Sequence, residues 1–173
     1  FNVVNALQSQ RAAPQLFNTG PYDAGKRLTL LERPVIDCAL WVDEKNGLTD
    51  ADISKLERET PERVRVERAD NAVVHCFVRW EPVDTLARAT ENERVYELDR
   101  FAGVITFGHG ANGKVPPQGD LNIRVEYTFG GGSRGNLPEG AVNALVGSIP
   151  RISSVANITA MSGGTDRPEL TKI

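Results

Sequence analysis

Methionine, cysteine, histidine and aromatic residues are all scarce in this sequence, and each scarcity removes a class of reading. The two histidines, His75 and His109, and the two cysteines, Cys38 and Cys76, form no CxxC pair and no close His doublet, so no zinc or other metal site is expected. Cys38 and Cys76 each lie in an apolar, strand-like run, which suits small buried hydrophobes better than a disulfide, although pairing stays open. Aromatics make up only 6% of the chain, which limits any stacking surface to a few residues such as Trp41 and Trp80. There is no apolar window of about 18 residues, so no membrane insertion is expected. Neither sign of charge dominates: 20 Lys+Arg against 23 Asp+Glu give a net charge of −3. Nucleic-acid binding usually needs a basic face, so none is expected here. The arginines of Arg58 to Arg68 are interleaved with Glu57, Glu59, Glu62 and Glu67, which reads as a solvated surface. No basic-then-apolar leader opens the chain. It starts at Phe1, and its one methionine is Met161, so the sequence is expected to be a piece of a longer protein.

What is present is an ordinary globular composition, with 40% apolar and 25% charged residues. A chain of 173 residues is long enough to bury a core without staples. Residues 1–34 carry breakers at Pro14, Gly20, Pro21, Gly25 and Pro34 and read as an irregular, extended lead-in with one strand near Leu28 to Leu31. Val35 to Val42 reads as a strand with Ile36, Cys38, Leu40 and Val42 on one face. Thr49 to Glu59 reads as a short helix capped by Thr49 or Asp50 and stopped by Pro61.

Val64 and Val66 alternate with charges, and Val73 to Trp80 places Val74, Cys76, Val78 and Trp80 on one side. Val95 to Leu98 and Val104 to Phe107 bracket a turn near Arg100 to Gly103. Leu121 to Phe129 alternates most strictly: Leu121, Ile123, Val125, Tyr127 and Phe129 point one way, Asn122, Arg124, Glu126 and Thr128 the other. Ala141 to Ile149 is ambiguous between helix and loop, and Ile152 to Ile158 reads as a final strand. The expected fold is mainly β, antiparallel and sandwich- or barrel-like, with one or two short helices, a β-rich α+β class. The β-rich domain is expected over 35–160, with 161–173 as a linker toward a further region.

Three segments imitate catalytic motifs. Gly108-His109-Gly110-Ala111-Asn112-Gly113 matches GxGxxG, but Lys114-Val115-Pro116-Pro117 cannot open the helix a dinucleotide site needs. Gly108, Gly113 and Lys114 have P-loop spacing, but Val115 stands where a magnesium-binding hydroxyl belongs. Both readings yield to a glycine-rich β-hairpin loop. Gly131-Gly132-Ser133-Arg134-Gly135 matches the GxSxG elbow, yet both histidines precede Ser133, against the hydrolase order. Asn157-Ile158-Thr159 fits a glycosylation pattern with no secretory leader to support it. No catalysis and no cofactor are expected.

One resemblance spans Trp80 to Glu169. It runs through Trp80, Val83, Leu86, Val95-Tyr96, Gly103 to Gly110 (with Phe107, Gly108 and His109), Gly113, Pro116-Pro117 and Gly119. It continues through Val125-Glu126-Tyr127, Gly130 to Gly132, Gly135-Asn136, and Val155-Ala156-Asn157 to Gly163-Gly164. In order and spacing these residues resemble the baseplate J-like family of contractile phage tails and related injection systems. The chain departs from that pattern at His109, where the family usually has aspartate, and at Pro82, where glutamate is common. The resemblance implies a wedge or ring subunit that binds its own copies and neighbouring baseplate or tail proteins. It implies a place in a virion baseplate or phage-tail-like particle assembled in the bacterial cytoplasm. The alternatives are a carbohydrate- or host-surface-binding β-sandwich using Trp41 and Trp80, and a small hydrolase using Ser133.

Overall fold

A computed structural model describes residues 9–21, 23–145, 147 and 150–164. The chain divides into two compact units, one of Arg11–Phe129 and one of Phe1–Gln10 with Gly130–Ile173. Among the described residues the first holds nearly all the regular structure, and it is a β-rich α+β unit.

Its strands are β1 (Gln10–Arg11, at the unit boundary), β2 (Gln15–Thr19), β3 (Arg27–Thr29), β4 (Val35–Asp43), β5 (Val64–Ala69), β6 (Ala72–Val83), β7 (Val95–Asp99), β8 (Val104–Phe107) and β9 (Gly119–Phe129). The sheet order is β1-β9-β4-β6-β7-β8-β3, with β2 also on β9 and β5 also on β6. Among β2 to β9 the pairings are antiparallel except β6 with β7, which run parallel through Glu81↔Val95 and Val83↔Glu97. β6 carries the sheet from one half to the other. Its earlier residues pair with β5 and β4, and its last three pair with β7.

The two halves share one core. Leu28, Leu30, Tyr96, Ile105 and Phe107 pack in the same cluster as Leu40, Val42, Trp80, Ile123 and Val125. The Trp80 and Phe107 rings meet edge to face at 5.5 Å between centroids, an arrangement the ring quadrupoles favour. A second cluster lies under α1 (Asp50–Glu59), the one α-helix among the described residues, where Ile53 packs on Val64, Cys76 and Val78. Thr49 caps α1: its hydroxyl accepts from the Asp52 N–H while the Asp52 carboxylate accepts from the Thr49 N–H. Both cysteines are free and buried, and burial pushes each thiol up to about 11.

Several sequence expectations change. The lead-in holds the expected strand near Leu28, as β3, and one more, β2, with irregular stretches between them; Leu28 and Leu30 are core residues. In β4 a register shift between Val35 and Asp37 buries Val35 and leaves Ile36 half-buried. A shift between Glu67 and Arg68 likewise turns Val74 outward. At β9, Leu121 has φ of +48° and is exposed, which breaks the alternation and buries Asn122 instead. β8 and β9 are not hairpin partners, because β8 lies between β7 and β3 while β9 lies beside β4. Residues 108–118 therefore connect non-neighbouring strands. From Gly130 on, the described residues contain one 3-10 turn, Ser133–Gly135, and no strand or α-helix, so Ile152 to Ile158 is not a strand. Val146 and Ile149 of the ambiguous segment and the end of the expected linker lie outside the described residues.

Candidate functional site

The glycine-rich segment after β8 is the natural place to look for chemistry. Gly108 is buried, and a Cβ there would lie 2.3 Å from the carbonyl oxygens of Asn112 and Gly113. Only glycine fits so close a backbone approach. The Gly110 N–H donates to the Gly113 carbonyl, with φ of +97° and +85° at the two glycines. No helix begins after Gly113. Its N–H donates instead to the Thr90 carbonyl, the Lys114 N–H to the Glu93 carbonyl, and the Asn112 amide to the Ala87 carbonyl. The helix that a dinucleotide site or a P-loop would open at this point is therefore not there to present its N-terminus to a phosphate.

The Lys114 amine, the P-loop look-alike, is bound at 2.5 Å to Glu44. Glu44 follows β4 and is 1% exposed. Its carboxylate also accepts from Arg94 Nε at 2.8 Å and Nη2 at 3.0 Å, and from the Trp80 indole at 3.0 Å. Burial opposes the charge. The hydrogen bonds and charges of Arg94 and Lys114 outweigh it and hold the carboxyl below its usual 4.5. A buried carboxylate thus ties the end of β4, the start of β7, the tip of the glycine loop and the core tryptophan together. Sequence reading missed this site. Glu44 sits among Asp43, Lys45 and Asn46, a run that reads as solvated, and its partners are distant in the chain.

The same segment ends in a second buried polar knot. The Asn122 amide donates to the Thr19 hydroxyl and the Pro117 carbonyl, both at 2.7 Å, and accepts from the Thr19 N–H at 3.1 Å. A Cβ on Gly119 would fall 2.8 Å from the Asn122 Cβ. On the same strand, the buried Tyr127 hydroxyl accepts from the Glu32 N–H at 3.1 Å and the Gln15 amide at 3.0 Å.

The remaining residues of the resemblance belong to the second unit. The Asn136 side chain donates to the Gly164 carbonyl at 2.8 Å and accepts from the Gly164 N–H at 2.9 Å. Asn157 accepts from the Val142 N–H and donates to the Pro138 and Thr159 carbonyls, each within 2.9 Å. Its amide is therefore a backbone brace, which glycosylation at the 157–159 pattern would break. Gly130, Gly131, Gly132 and Gly163 all have positive φ, and Gly135 closes the 3-10 turn with its N–H on the Gly132 carbonyl.

Ser133 lies at the start of that turn, and its own unit contains neither histidine. His75 instead bonds Asp43 through Nδ1 at 2.6 Å, and Asp43 is fixed in turn by the Cys76 and Lys45 N–H groups. Among the described residues no three His, Cys, Asp or Glu side chains gather as a metal site. Trp80 is fully buried and Trp41 is 4% exposed, so neither offers an open stacking face. No family model matches the chain, and no solved structure matches it.

Proposed function

We propose that this chain is a structural module of a contractile phage-tail-type baseplate, a wedge or ring component that binds copies of itself and neighbouring tail proteins without catalysis. The observation that favours this reading is how the glycines and asparagines of the resemblance are used. Gly108, Gly113, Gly119, Asn136, Asn157 and Gly164 all fix backbone shape: they admit close approaches or brace neighbouring chain segments. A module whose glycine-rich segments are braced this way presents defined loops and strand edges, which is what an assembly part requires. The placement in a virion baseplate or tail-like particle, assembled in the bacterial cytoplasm, follows from the same resemblance.

The test is assembly. The chain, co-expressed with the neighbouring proteins encoded beside it, is expected to form a ring or wedge complex by mass measurement and electron microscopy. A chain that remains monomeric in their presence would refute the proposal. The carbohydrate reading has little to stand on, since both tryptophans are covered.

A further inference from the structure

We infer that Asn46 is a modification site, where spontaneous deamidation turns the side-chain amide into a carboxylate, and that the fold shields Asn112 from the same reaction. This does not rest on the baseplate reading, because the chemistry runs within one chain.

The sequence holds two Asn-Gly pairs, Asn46-Gly47 and Asn112-Gly113. Asparagine is a thermolabile residue, and a following glycine favours its breakdown. The glycine backbone nitrogen attacks the asparagine Cγ, and no Cβ on that glycine obstructs the approach. A bond forms between the nitrogen and Cγ, the proton of the nitrogen passes to solvent, and ammonia leaves. Water then opens the cyclic imide at either carbonyl, giving aspartate or its isoaspartyl isomer. Water is the only co-reactant. The Asn-Gly pairing by itself ranks the two sites equally.

Their surroundings separate them. Asn46 and Gly47 are exposed in the 3-10 turn Lys45–Gly47, which contains no buried residue and has no side-chain cap. Among the described residues nothing hydrogen-bonds the Asn46 side chain. The attacking N–H of Gly47 is held by one bond, 2.9 Å to the Glu44 carbonyl, and the next bond of the turn, Leu48 N–H to the Lys45 carbonyl, is 3.4 Å long. Short 3-10 turns have poor hydrogen-bond geometry, so freeing this nitrogen breaks one bond and uncovers no core.

At Asn112 the loop must open as a whole. The Asn112 amide donates to the Ala87 carbonyl at 3.1 Å, and the Gly113 N–H donates to the Thr90 carbonyl at 3.0 Å. Gly113 is buried, and its carbonyl accepts from the Gly110 N–H at 3.1 Å. The next residue, Lys114, is tied to the Glu93 carbonyl through its N–H and to buried Glu44 through its amine. Bringing the Gly113 nitrogen onto the Asn112 Cγ therefore means giving up this closure.

The product at position 46 changes its surroundings. A carboxylate there joins Asp43, Glu44 and Asp50, with Lys45 the one cation of residues 43–50. The isoaspartyl form also adds a carbon to the main chain, which puts the Gly47 N–H out of register with the Glu44 carbonyl. Both effects fall between the Glu44 cluster and the Thr49 cap of α1.

The experiment ages the full chain at mildly alkaline pH and body temperature, digests samples with pepsin in acid, and maps the peptides by mass. The Asn46 peptide is expected to convert at least about tenfold faster than the Asn112 peptide, the ratio that about 1.4 kcal/mol of extra opening free energy gives. In the urea-unfolded chain the two rates should converge. A Cβ on Gly47 meets nothing within 4 Å, so Gly47→Ala is accommodated; it hinders the nitrogen and should suppress conversion at Asn46. Equal rates in the folded chain, faster conversion of Asn112, or an Asn46 that stays intact while the unfolded chain converts would overturn the inference. The wild-type comparison decides the matter whatever the variant does.

Discussion

Replacing Glu44 by glutamine keeps the side chain's shape and removes its charge. The amide oxygen can still accept from Trp80, but Arg94 and Lys114 lose their shared counter-ion. Removing one partner of a buried ion pair costs about 3–5 kcal/mol. The Arg94 and Lys114 side chains are 31% and 33% exposed, so water can rehydrate them. The lower end of that range, about 3 kcal/mol, is therefore expected. Urea unfolding followed by Trp80 fluorescence measures it in the unit concerned, with an unchanged denaturant slope showing that only stability moved. The same substitution should alter the acid limb. Because the folded carboxyl titrates below its usual 4.5, its contribution is fully present above about pH 4.5 and is lost as pH falls through the lower folded value. Glu44→Gln should flatten the wild-type decline in that window. A loss under about 1 kcal/mol, the scale of an exposed ion pair, with an unaltered acid limb would refute the argument that the cluster is a buried lock.

Gly108→Ala forces a Cβ to within 2.3 Å of two carbonyl oxygens and should cost about 3 kcal/mol in the same unfolding assay; a neutral result would mean the loop closes differently. Asn136→Ala removes both contacts to Gly164, so hydrogen exchange at the Gly164 amide should accelerate while β4 and β9 amides keep their protection. Thr49→Ala deletes the cap of α1 and should lower stability by about 1 kcal/mol, visible as a shift in the urea midpoint. Ser133→Ala should leave any background esterase rate unchanged, and a drop would revive the hydrolase reading.

Much of the β unit was legible residue by residue. Alternation located β4, β6 and β9, the Thr49 signature located α1, and Val95 to Leu98 and Val104 to Phe107 proved to be β7 and β8. Besides the hairpin expected between β8 and β9, which are not neighbours, three kinds of error stand out. Phase was lost at the register shifts beside Ile36 and Val74 and at the positive φ of Leu121, because alternation assumes an unbroken pleat. β2 was missed because Gln15 to Thr19 has half-polar alternation and borrows its pairing from β9. Ile152 to Ile158 has strand composition but no partner strand, and a strand without a ladder leaves its backbone groups unmet.

By itself, the sequence determined the class of fold, the capped helix and most of the apolar faces of the long strands. These depend on local spacing, on φ preferences and on which residue types are present. Only the tertiary structure decided that Glu44 is buried beside two cations, that Arg65 roofs Trp41, and that residues 108–118 join strands that do not pair. A buried charge or a cation over a ring is defined by what lies across the fold, and contacts between residues far apart in sequence leave no local trace for a periodicity to reveal.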